Sequence, residues 1–124
     1  MQLSSDAFNE LVGEALAGIP DGFRPYLEGV AVDVEDEPDE AVCRELHLRD
    51  PHSLLGLYRG TPLTKRHVTA TYRYPDRIII YQRNIERVCR TRERIIRQIR
   101  RTVLHEVGHH FGLDEHQLRE LGYG

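Results

Sequence analysis

A chain of 124 residues with 40% apolar and 30% charged side chains is long enough to bury a core without disulfides, and predicts one soluble globular domain spanning residues 1–124. No apolar run approaches a membrane span, and the N-terminal MQLSSDAFNE lacks the basic region and hydrophobic run of a secretory leader. The expected location is therefore the cytoplasm, with no membrane partner. The formal net charge of -3 conceals an acidic run, DVEDEPDE at 33–40, and eight arginines between Arg83 and Arg101.

Phe8, Leu11, Val12, Ala15, Leu16 and Ile19 recur at the spacing of an amphipathic helix, with Ser5 or Asp6 as N-cap and Gly18 and Pro20 as its end. Val30, Val32 and Val34 alternate with Ala31, Asp33 and Glu35, the period of a strand with one buried face. Residues 36–53 show no period and hold Pro38 and Pro51, which predicts an irregular connection. Leu54–Tyr58 is a short apolar strand closed by Gly60 and Pro62, and Val68, Ala70 and Tyr72 suggest a hairpin or edge strand over 68–73. Ile78–Tyr81 is apolar on both faces, as a central strand is. Helix follows from Asn84, with a break near Cys89–Thr91, and a short last helix over 115–121 has Asp114 as its cap. The expected class is α+β: a small, mostly antiparallel sheet of three to four strands packed on a long C-terminal helix and an N-terminal one.

Neither the thiols nor the arginines carry chemistry on this pattern. Cys43 and Cys89 lack CxxC spacing and read as small buried thiols. The arginines are interleaved with Ile95, Ile96, Ile99 and Val103 at helical spacing, with no aromatic residue to stack a base and an acidic segment available as partner. A solvated helix face is expected, and no nucleic-acid partner.

Chemistry concentrates in the run His105-Glu106-Val107-Gly108-His109-His110-Phe111-Gly112-Leu113-Asp114-Glu115-His116. Two histidines four apart lie on one helix face, so both imidazoles reach one cation. Glu106 points to a neighbouring sector, from which its carboxylate approaches a metal-activated water without being a ligand. Gly112 falls where a helix ends in a left-handed residue and the chain turns back, which can bring Asp114, Glu115 or His116 to the same ion. Three protein ligands and one open position are what a catalytic Zn2+ needs. His110, about 100° round the helix from His109, is expected to be exposed or hydrogen-bonded. His47, His52 and His67 have no partner at ligand spacing.

The chain resembles the small bacterial zincin-like metallopeptidases, or minimal metalloproteases. The residues that carry the likeness are HEVGHHFGLDEHQLRELGY together with LLGLYRGTPLTKR at 54–66, PDRIIIYQRNIERVC at 75–89 and FNELVGEAL near the N-terminus. The resemblance implies a zincin-like fold with the motif HExxHxxGxx[DE]. It further implies zinc ligands at His105 and His109, a general base at Glu106, and a sheet edge, Leu54–Tyr58 or 68–73, that pairs with an extended peptide or protein substrate. Zincins with a glycine turn place their third ligand at the position of Glu115. Compared with the metzincins, position 115 is glutamate rather than histidine, no methionine follows the motif, and only eight residues follow His116.

The expected activity is zinc-dependent hydrolysis of peptide bonds, Glu106 taking a proton from water and giving it to the leaving amine. Tyr123, Tyr81 and His116 are candidates to steady the oxyanion. The competing expectation is a metal-stabilised binding or regulatory module with little turnover, since Asp114, Glu115 and His116 together offer more ligands than an open site uses.

Overall fold

The computed structural model describes residues 1–60 and 76–122. Helix α1 (Ser5–Ala17) begins at Ser4, whose side chain accepts the Ala7 amide. The cap is thus one residue before the expected Ser5 or Asp6. Phe8, Leu11, Val12 and Ala15 form its buried stripe. A 3-10 turn over Asp21–Phe23 and the short helix α2 (Arg24–Leu27) lead into strand β1 (Val30–Glu35).

The connection expected to be irregular contains helix α3 (Glu40–Glu45), capped by the Asp39 side chain on the Val42 amide, and a 3-10 turn over Pro51–Ser53 capped by Asp50. Both caps are aspartates whose carboxylates satisfy amides left open at a helix start. Strand β2 spans Gly56–Arg59 and strand β3 Asp76–Tyr81. The strand expected over 68–73 lies outside the described residues.

The three strands are ordered β1-β3-β2, with β3 between its neighbours. Ile78, Ile79, Ile80 and Tyr81 are all buried, as a strand covered on both faces requires. Among the described residues the sheet is mixed rather than mostly antiparallel: β2 pairs antiparallel with β3, but β1 pairs parallel, Val32 opposite Ile78 and Val34 opposite Ile80. The long connection from Asp36 to Pro75 makes the parallel pair possible, because such strands need a crossover rather than a tight turn.

Helix α4 (Gln82–Val88) follows β3 directly, and α5 (Arg92–His110) starts where the Thr91 hydroxyl accepts the Arg94 amide. The break at 89–91 is where the sequence places it. Ile95, Ile99, Val103 and Val107 of α5 meet the α1 stripe and the Ile78 and Ile80 face of the sheet in one core. Helix α6 (Glu115–Glu120) closes the described chain, with Leu118 buried. No described helix is long and apolar enough to cross a membrane.

Candidate metal centre

The last turns of α5 carry His105, Glu106 and His109. Their spacing brings the two imidazoles together, Nε2 to Nε2 at 2.8 Å, with the rings edge to face. Two nitrogens bound to one tetrahedral zinc at about 2.0–2.1 Å each stand about 3.4 Å apart. The pair therefore fits as two ligands of one such ion after a small ring rotation.

Glu106 lies half-buried between this pair and strand β2. Burial pushes its carboxyl above the usual range, while the His105 and His109 charges and the Tyr58 backbone amide pull it part of the way back. The amide contact follows from the strand register. Tyr81 donates to the Leu55 carbonyl at 3.0 Å, and Leu57 stands opposite Ile79. The alternation of an antiparallel ladder then turns the Gly56 and Tyr58 amides to the outer edge. Close packing holds this edge on α5: a methyl on Gly56 would meet Thr102 Cγ2 at 2.5 Å. The Tyr58 ring stacks on His110 with centroids 3.9 Å apart, and its hydroxyl donates to Asp76 Oδ2 at 2.8 Å. His110 thus pins the strand, consistent with its expected place away from the ligands. An open cleft of about 350 Å³ runs between β2 and α5, with Leu55 and Gly56 on one wall and Arg101, Thr102, His105 and Glu106 on the other.

Beyond α5 the chain turns at Gly112, whose φ of 71° is the left-handed conformation that glycine adopts without strain. The Leu113 amide reaches back to the Gly108 carbonyl at 2.7 Å. Asp114 is taken up by a capping box: its Oδ1 accepts from the Gln117 amide at 2.8 Å, and Gln117 Oε1 accepts from the Asp114 amide at 2.9 Å. His116 pairs with Glu120 at 3.0 Å on the exposed side of α6. Glu115 opens that helix and is exposed. Among the described residues no three histidine, cysteine or acidic side chains converge as a metal set. The structure joins His105 with His109 and brings none of Asp114, Glu115 and His116 to that pair.

Of the other histidines, His52 pairs with Glu37 at 3.0 Å and His47 ends α3 with φ 54°. His67 and Tyr123 lie outside the described residues. Tyr81 is buried on the sheet face opposite Ile80, beside Glu35, Arg59, Asp39 and Cys43. Strand alternation carries it away from Glu106, so it does not serve as an oxyanion donor. Tyr58 and Arg101 are the site residues that spacing did not single out. Tyr58 reads in sequence only as strand, and Arg101 as one more member of an arginine-rich helix.

Comparison with curated protein sequences gives no match. Residues 27–124 match the family model described as zincin-like metallopeptidase. That span takes in all three strands and the whole of α5 and α6, and omits α1. With the greater part of its length matched, the chain belongs to the zincin-like metallopeptidase family.

Proposed function

We propose that the protein is a zinc-dependent peptidase in which His105 and His109 hold the metal with Glu115 and Glu106 is the general base. The observation that carries this is the pairing of two convergent imidazole nitrogens, 2.8 Å apart, with a partly buried carboxylate whose protonation is favoured by burial. Zinc, when bound, supplies Lewis acidity, polarising the scissile carbonyl and lowering a water's pKa to about 7.

The protein's own residues do the rest. A Glu106 carboxylate oxygen takes the proton from water and delivers it to the leaving amine. Strand β2 presents the Gly56 edge to an extended substrate, so backbone pairing sets the peptide's direction across the helix. The stacking of Tyr58 on His110 fixes that edge relative to Glu106, and positioning of this kind contributes much of the rate.

Elemental analysis of the purified protein tests the metal: about one zinc per chain is expected, and no transition metal even after reconstitution would overturn the proposal. Glu106→Gln is expected to retain zinc and to abolish cleavage across a diverse peptide library. Loss of metal in that variant would make Glu106 a ligand. Full zinc with no cleavage by the wild-type protein would leave a metal-stabilised binding module.

A further inference from the structure

Among the described residues that line the cleft beside the histidine pair, Arg101 is the one arginine or lysine, and the proposed chemistry does not use it. Arg101 lies one helical turn before His105 and lines the same wall. On the same helix Arg100 is taken up by the Ala15 carbonyl, to which it donates at 3.0 Å, and Arg97 does not line the cleft. Arg101 is exposed, and among the described residues no carboxylate pairs with it. A guanidinium that opens into a peptide-sized cleft, with no described carboxylate paired to it and Glu106 taken by the proposed proton transfer, is a site for an anion from outside.

We infer that Arg101 selects substrates bearing a carboxylate close to the scissile bond. This rests on the peptidase reading of the same site and names the substrate class it takes. One helical turn is about 5.4 Å, and an extended peptide advances about 3.3 Å per residue. A chain lying along the Gly56 edge therefore brings a side chain, or its own C-terminus, to Arg101 within about two residues of the bond facing His105. Planar, bidentate recognition of a carboxylate is what the guanidinium fork supplies. Two sources share this chemistry: an acidic side chain and a terminal carboxylate.

The test uses zinc-loaded full-length protein and a positional peptide set with glutamate, glutamine or lysine at each site, each with free and amidated C-termini. Binding is read by fluorescence anisotropy in the Glu106→Gln background, and kcat/KM in the wild-type background. The expected result is a preference of about tenfold for glutamate over glutamine at one position, or for free over amidated termini, the scale of a charge-assisted contact partly shielded from water. Arg101→Gln should erase the preference, and Arg101→Glu should invert it toward lysine. Circular dichroism checks that both variants fold.

Equal affinity for the glutamate and glutamine peptides and for both termini, or a preference that persists in Arg101→Gln, would overturn the inference. Tighter Arg101-dependent binding of a single-stranded oligonucleotide than of the acidic peptides would also overturn it. Arg101-dependent acidic binding without cleavage would sink the peptidase reading and leave the carboxylate site standing. Cleavage without any charge preference would do the reverse.

Discussion

Gly108 sits between His105 and His109 in α5, and replacing it with alanine sets two opposed effects against each other. A methyl there would stand 2.6 Å from Leu118 Cδ2, 3.2 Å from Cδ1 and 3.3 Å from Cγ. Leu118 is fully buried, so it cannot swing aside into solvent and α6 must shift instead. Overpacking of this kind costs about 1–3 kcal/mol. The gain in helix propensity from glycine to alanine is about 1 kcal/mol. The net expectation is a loss of about 1 kcal/mol, or roughly 4 °C in Tm for a chain of this size. Gly13 isolates the favourable part, since it is an exposed position in α1 with nothing within 4 Å of an added methyl. Gly13→Ala should stabilise by about 0.5–1 kcal/mol. Urea and thermal melts of both variants, with Gly108→Ala/Leu118→Ala added, measure the terms, and the double variant should lose less than the sum of the singles. If Gly108→Ala melts at or above the wild type, α6 is not seated on α5 as described.

Two further substitutions examine the frame around the site. Glu86 is buried, which raises its carboxyl, but bonds from the Leu3 amide, Gln82 and Arg83 outweigh burial and hold it below the usual range. A depressed folded pKa gives stability that is present above the unfolded value and lost as pH falls through the folded one. Glu86→Gln should therefore cost about 2 kcal/mol at neutral pH and progressively less on acidification below the ordinary glutamate range; a penalty independent of pH in denaturant melts would refute this account. The Tyr81 hydroxyl is buried and, among the described residues, has no partner; burial pushes its pKa up to about 12. Tyr81→Phe should be neutral or stabilising by up to about 1 kcal/mol and should leave peptide cleavage intact, so loss of cleavage without loss of stability would return Tyr81 to the reaction.

Local patterns were legible wherever a single element carries its own signal. The helical stripe from Phe8 to Ala15, the break before Arg92 and the apolar run Ile78–Tyr81 follow from period and punctuation, and each lies where the structure has it. The direction of β1 was not legible, because alternation of Val30, Val32 and Val34 states which face is buried and nothing about the sense of the neighbouring strand. Helix α3 was also missed. Its signal is only the Asp39 cap and a six-residue helix, which a dense acidic run disguises as loop.

The same division runs through the proposed metal centre, where two of the proposed ligands share one helix and the third is sought across a turn. Helical spacing fixes the angle between His105 and His109, so sequence alone finds the pair. Across Gly112 the spacing leaves three adjacent candidates, and they differ in what else they do in the structure. Asp114 is held at both ends of its capping box. Its substitution by alanine should cost about 0.5–2 kcal/mol as a lost cap without a specific loss of zinc. Leu118 marks the side of α6 that faces Gly108. His116, two residues earlier, is about 160° away on the helix, and Glu115, three residues earlier, is about 60° away. Glu115, though exposed, is thus closer in angle than His116 to the side of α6 that packs on α5, while His116 pairs with Glu120 and Glu115 is the ligand we propose. Measured zinc affinity should fall by orders of magnitude in Glu115→Ala and stay near wild type in His116→Ala; the opposite ranking would place the third ligand on the histidine and require α6 to rotate about its own axis when metal binds.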